Sequence, residues 1–160
     1  MKVWLVGMPG SGKTTVGPLL AERLRLRFVD VDAEIEARAG RDVAGIFAEA
    51  GEGGFRSLER EVIAGLARDG DAVIAAGGGA VIDAANREAM RASGRVVLLE
   101  AAAEVLAARL AGAPRPVTAG ADLARLLRDR AEAYGAAAHL VVEAQGPPDA
   151  IVDRILEGLA

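Results

Sequence analysis

A chain of 160 residues has room for one compact domain and little for a second. With 52% hydrophobic residues but only 3% aromatic, its core must be packed from Leu, Val, Ile and Ala, and with no cysteine it holds neither a disulfide framework nor a thiolate metal site. The net charge of −4 argues against a general nucleic-acid binder, and no apolar run reaches the length of a membrane span or a signal peptide, so we expect a cytoplasmic protein with no nucleic-acid or membrane partner.

The first apolar run, Val3–Val6, reads as a strand and leads into Gly7-Met8-Pro9-Gly10-Ser11-Gly12-Lys13-Thr14, before a helical pattern over Lys13–Leu24. This is the G-x-x-x-x-G-K-[ST] spacing, set between a strand and a helix as its chemistry requires. Its glycines let the backbone curl so that successive N–H groups face phosphate oxygens, and the helix start adds positive potential. Gly10, Ser11, Gly12, Lys13, Thr14 and Thr15 are therefore the expected ATP-binding residues, with Lys13 on the β- and γ-phosphates and the Thr14 hydroxyl on Mg²⁺.

A second strand is expected at Arg27–Val31, carrying Asp30 and, just beyond it, Asp32. In an extended chain these two carboxylates share one side, an arrangement that calls for a cation or proton nearby. One division places Asp30 toward Mg²⁺ and its waters and Asp32 toward the hydroxyl that accepts the phosphoryl group. The alternative is that Asp32 caps the helix that follows. Helices are predicted over Ala33–Ala39, Val43–Ala50 and Phe55–Arg68, the last with Leu58, Val62, Ile63 and Leu66 on one face.

The third strand, Ala72–Ala76, ends in Gly77-Gly78-Gly79 without the carboxylate that many P-loop proteins carry there. Three glycines exceed the needs of a turn, so we expect a ligand to approach this backbone closely and to use its N–H groups. A helix over Asp83–Ala92, a strand over Val96–Glu100 and a helix over Ala102–Leu110 follow. The Gly- and Pro-rich stretch around Arg115 reads as a loop, then come a helix over Asp122–Ala136, a strand over His139–Val142 and a helix over Asp149–Leu159. Alternating strands and helices imply a mostly parallel sheet, with ligands off its carboxyl ends. His139 and Trp4 read as structural, and Arg23, Arg25 and Arg27 as a solvated face.

These blocks together resemble the shikimate kinases. The likeness runs from Gly7–Thr15 with Val16-Gly17, through Phe28-Val29-Asp30-Val31-Asp32, Ile46-Phe47, Gly51-Glu52, Phe55-Arg56 and Glu59. It continues in Gly77-Gly78-Gly79-Ala80, Arg115-Pro116 and Arg130 with Tyr134 four residues on. The resemblance implies a P-loop NTPase-like three-layer sandwich, with a five-stranded parallel sheet flanked by helices. It implies one kinase domain over residues 1–160, with a shikimate-binding insertion around residues 32–61 and a lid around residues 111–121. The implied reaction moves the γ-phosphate of ATP to the 3-hydroxyl of shikimate, in a monomer using Mg²⁺. By the same resemblance Lys13, Asp32 and Arg115 are the catalytic residues, and Thr14 and Asp30 bind the metal. Arg56 and Arg130 clamp the shikimate carboxylate with Gly77, Gly78 and Gly79 beside them, and Arg109 and Arg115 reach the nucleotide. Near the adenine site, where some members carry a basic residue, this chain reads Gln145-Gly146-Pro147-Pro148. A kinase for gluconate or a nucleoside monophosphate, and a nucleotide-binding module without catalysis, are the competing readings.

Overall fold

The computed structural model describes residues 1–111 and 120–160. Five strands, β1 (Lys2–Val6), β2 (Arg27–Asp30), β3 (Ala72–Ala75), β4 (Arg95–Glu100) and β5 (Leu140–Glu143), form one sheet in the order β2-β3-β1-β4-β5. Every pairing is parallel, with Trp4 opposite Ile74 on one side and Val96 on the other. β1, β3 and the middle of β4 are buried on both faces, which is why they read as unbroken apolar runs rather than alternating ones. Trp4 is fully buried at the centre, and its indole N–H donates to Ser93 Oγ at 3.0 Å.

Among the described residues seven helices connect and cover the strands: α1 (Lys13–Leu24), α2 (Val31–Ala39), α3 (Val43–Arg68), α4 (Ala84–Ser93), α5 (Ala103–Leu110), α6 (Gly120–Ala137) and α7 (Pro148–Leu159). α1 packs with α7, while α3, α4 and α6 form a second layer, so the sheet is the middle of three. A short 3-10 turn at Ala80–Ile82 follows the triple glycine.

Most expected elements are present within a residue or two, and two differ in ways that bear on function. β2 stops at Asp30, and Val31 is already the first residue of α2. Asp30 caps that helix, its Oδ1 accepting the N–H of Asp32 at 2.9 Å and of Ala33 at 3.3 Å. The expectation of an extended Asp30–Asp32 pair is thus corrected: Asp32 lies in the first helical turn, and Asp30, not Asp32, is the cap. The predicted helices Val43–Ala50 and Phe55–Arg68 are one element, α3, bent at Gly51, whose φ of 69° and ψ of −178° interrupt the helix.

Two cations tie the frame together, one buried and one at the surface. Lys2 is 7% exposed, and its ammonium donates to the carbonyls of Leu66, Ala67 and Asp69 at 2.7, 2.9 and 2.8 Å, closing the C-terminal end of α3. Burial pulls its pKa below the ordinary lysine value. Arg91 of α4 donates to the carbonyls of Ala137 and Ala138 and so closes the end of α6. His139 is structural as expected: its Nδ1 accepts the N–H of Val96 at 3.0 Å, and its own N–H donates to the Val96 carbonyl.

Candidate active site

The loop after β1 takes its shape from glycine. Gly7, Gly10 and Gly12 have φ of 151°, 85° and 101°, in the half of backbone space that other residues avoid. A Cβ added at Gly7 would fall 2.7 Å from the Leu99 carbonyl oxygen, so a side chain is excluded there on both counts. Gly12 ends the loop at the N-terminus of α1, where the unpaired N–H groups collect. Lys13 folds back over the loop, its ammonium donating to the carbonyls of Gly7 at 2.5 Å and Met8 at 3.1 Å. Burial draws its pKa down to about 8, against the upward pull of Asp32 and Asp30.

The loop borders a cavity of about 580 Å³ at the carboxyl ends of the strands. Lys13, Thr14, Asp30, Asp32, Gly77 and Arg109 share its wall, so the phosphate loop, the two aspartates and the triple glycine come together as expected. Arg109 straps this end of the cavity: it donates to the carbonyls of Gly10 and Ser11 at 3.2 and 3.3 Å, and to that of Ala144 at 2.5 Å. Beyond it the wall is completed by Gly146 and Pro148, which leaves Arg109 as a cation beside the stretch that lacks one of its own. Arg115 lies outside the described residues.

The triple glycine is explained by space. None of the three has positive φ. A Cβ at Gly77 would sit 3.1 Å from both Asp32 Oδ1 and Glu59 Oε2. One at Gly78 would sit 2.9 Å from Pro9 Cδ and 3.3 Å from Arg130 Nη1, and one at Gly79 would sit 2.5 Å from Arg56 Nη2. The glycines let four charged side chains from three helices crowd against one stretch of backbone. Our expectation of a close ligand is therefore extended by a second reason, the approach of the protein's own arginines.

Glu59 is the residue to which sequence reasoning assigned no role. It is 1% exposed on α3, and its Oε1 accepts from Arg56 Nη1 at 2.9 Å. Burial raises its pKa, with the Arg56 guanidinium working against the rise. The signal was available: Arg56 and Glu59 stand three apart on one helix face. Glu59 Oε2, Arg130 Nε and Ser11 Oγ are buried without a hydrogen-bond partner among the described residues. Orphaned polar atoms of this kind are costly unless a ligand or water meets them. Tyr134, one turn after Arg130, donates its hydroxyl to the Gly78 carbonyl at 2.5 Å.

The shikimate kinase family model matches residues 9–160. The chain belongs to the shikimate kinase family. It is 50% identical to a shikimate kinase of Symbiobacterium thermophilum over 147 residues, covering 88% of this chain and 84% of that one. A shikimate kinase of Pseudomonas syringae pv. tomato is 45% identical over 98% of this chain and 94% of its own. Among solved structures, a shikimate kinase from Acinetobacter baumannii in complex with shikimate superposes with a TM-score of 0.92 at 36% identity, over 99% of this chain and 92% of that one. The three-layer P-loop fold of the family is the fold observed here.

Proposed function

We propose that this chain transfers the γ-phosphoryl group of ATP to the 3-hydroxyl of shikimate. The observation that carries the reading is the crowding of Arg56, Arg130, Asp32 and Glu59 against Gly77–Gly79, beside the phosphate loop. One wall suits a polyphosphate. The other offers two guanidinium groups for a carboxylate and a carboxylate for a hydroxyl, which matches a hydroxy acid as acceptor.

In this reading the N–H groups of Gly10–Thr15 cradle the phosphates, and Lys13 moves its ammonium from the loop carbonyls to the transferring phosphoryl group. Asp32 holds the acceptor hydroxyl and receives its proton as the oxygen attacks phosphorus and the bond to ADP breaks. Glu59 holds Arg56, and Arg56 and Arg130 fix the acceptor carboxylate, so that the hydroxyl is presented in line. Arg109 stays beside the base, and Arg115 brings a further positive charge to the phosphates. Thr14 and Asp30 suit Mg²⁺ that arrives on the nucleotide: one hydroxyl and one carboxylate on one wall are too few donors for a standing site and enough for an ion already held by phosphate. When bound, Mg²⁺ neutralises charge on the phosphate oxygens. All these groups come from one chain, which therefore needs no partner subunit to act.

The test is ADP release measured with shikimate, gluconate and AMP as acceptors, followed by calorimetry on two variants. Turnover is expected with shikimate alone. Arg56→Ala and Arg130→Ala should each weaken shikimate binding by about 2–4 kcal/mol and leave ATP affinity nearly unchanged. Phosphorylation of gluconate or AMP in preference, or unaltered shikimate affinity in both variants, contradicts the reading.

A further inference from the structure

The triple glycine and the turn after it form the most flexible kind of backbone in the site, yet the six carbonyls from Gly77 to Ile82 are all held. Gly77 O accepts from the Ala80 N–H at 3.1 Å and Gly79 O from the Ile82 N–H at 3.2 Å. Ala80 O accepts from Asn86 Nδ2 at 3.0 Å, and Arg87 Nη1 donates to Val81 O at 2.7 Å and Ile82 O at 3.1 Å. Five of the six are thus tied by the turn itself or by α4, which follows it directly. Gly78 O alone is tied from elsewhere, by Tyr134 on α6, 56 residues away.

That bond controls an orientation. A trans peptide is planar, so its C=O and the next N–H point in opposite directions. No peptide here is cis, and holding the Gly78 oxygen toward Tyr134 therefore turns the Gly79 N–H the other way. A Gly-Gly peptide has little intrinsic preference against flipping, because neither residue has a Cβ to resist it. A flipped peptide would turn a carbonyl oxygen to the side now taken by the Gly79 N–H, and a carboxylate ligand there would meet an acceptor where it needs a donor. Tyr134 is only 2% exposed, so its hydroxyl has no bulk water to pair with instead. Burial pushes its phenol pKa up, against the pull of Arg130, which keeps the group a donor through neutral pH. Tyr134 and Arg130 stand four apart on α6, so one helix sets both the guanidinium and the peptide beside it.

We propose that Tyr134 is a positioning residue for the acceptor: its hydroxyl locks the Gly78–Gly79 peptide with the Gly79 N–H presented to the acceptor's carboxylate. This rests on the reading of the acceptor as shikimate. The residue touches neither acceptor nor nucleotide and acts through the peptide it holds.

The experiment compares wild type, Tyr134→Phe and Arg130→Ala by calorimetry with shikimate and with ADP, by steady-state kinetics, and by the amide NMR signal of Gly79. Tyr134→Phe keeps the ring, and unchanged ADP affinity shows that the variant is folded. Shikimate affinity should fall about tenfold, the worth of one well-placed hydrogen bond, with KM for shikimate rising to match and kcat at saturation held within about twofold. The Gly79 amide should shift sharply on shikimate addition in wild type and weakly in Tyr134→Phe. Wild-type shikimate affinity in Tyr134→Phe, or an equal loss of ADP affinity that marks general loosening of α6, overturns the proposal. If Arg130→Ala still loses shikimate in that case, the reading of the acceptor stands while the role of Tyr134 falls. If wild type itself does not bind shikimate, the reading of the acceptor fails and the proposal with it.

Discussion

Lys13 carries two opposite pH effects. Its folded pKa is about 8 and its unfolded value is 10.5. Between those values the unfolded chain holds a proton that the empty folded chain has released, so this group makes the fold more stable as pH rises through the window. ATP needs the charged form, so its affinity should fall as pH rises through about 8, and ATP binding at pH 8.5 should take up protons. Calorimetry in two buffers of different ionisation enthalpy measures that uptake, and none at pH 8.5 would contradict the assignment. The aspartates separate as cleanly. Asn caps a helix about as well as Asp, so Asp30→Asn removes charge while the cap stays, and should raise the Mg²⁺ requirement at unchanged stability. Asp32→Asn should depress turnover even at saturating Mg²⁺, and full recovery with excess metal would reverse the division. The phosphate loop was legible because its conformation demands glycine at set positions and its chemistry demands Lys13 and Thr14. The Asp30–Asp32 geometry was not. Either aspartate could serve as a cap, and side-chain alternation holds only while the chain stays extended. The chain leaves that state one residue earlier than the apolar pattern implies.

Among the elements, α3 combines two directions of chain. Its first part carries Phe47, whose ring packs on Phe55 at 4.9 Å across the bend, and its second part carries Arg56 and Glu59. The bend falls on Gly51, with φ of 69° and ψ of −178°, a conformation reserved for glycine. A Cβ added there meets nothing within 4 Å, so any penalty is one of backbone strain alone. Gly51→Ala should therefore lower stability by about 1–3 kcal/mol, read from the urea midpoint. An unchanged midpoint would mean that α3 can straighten without loss. The break between residues 50 and 55 was visible as a lapse in periodicity, but the continuity of the helix through it was not, since Glu52-Gly53-Gly54 has poor helix propensity and is held by its neighbours. The contact between Tyr134 and Gly78 left no trace in the sequence either, because nothing local links residues so far apart.

For the whole molecule, an all-parallel sheet with β3 between β2 and β1 sends the loops after these three adjacent strands to one end. This is why the phosphate loop, the cap at Asp30 and the triple glycine meet, and why alternating strands and helices were enough to foresee it. Charge is distributed with equal economy: among 19 basic residues only Lys2 and Lys13 are lysines. Lys2 is sealed at the end of α3, while Lys13 faces the cavity with its pKa near 8, so at neutral pH a larger share of it is unprotonated than of an ordinary lysine. The chain consequently contains a built-in covalent reporter. A mild amine-acylating reagent should mark Lys13 and the α-amino group, and ATP should erase the first mark alone. Peptide mass mapping with and without nucleotide would then read occupancy of the phosphate site directly, with no turnover and no introduced label, and acylation of Lys13 indifferent to ATP would place the phosphates elsewhere.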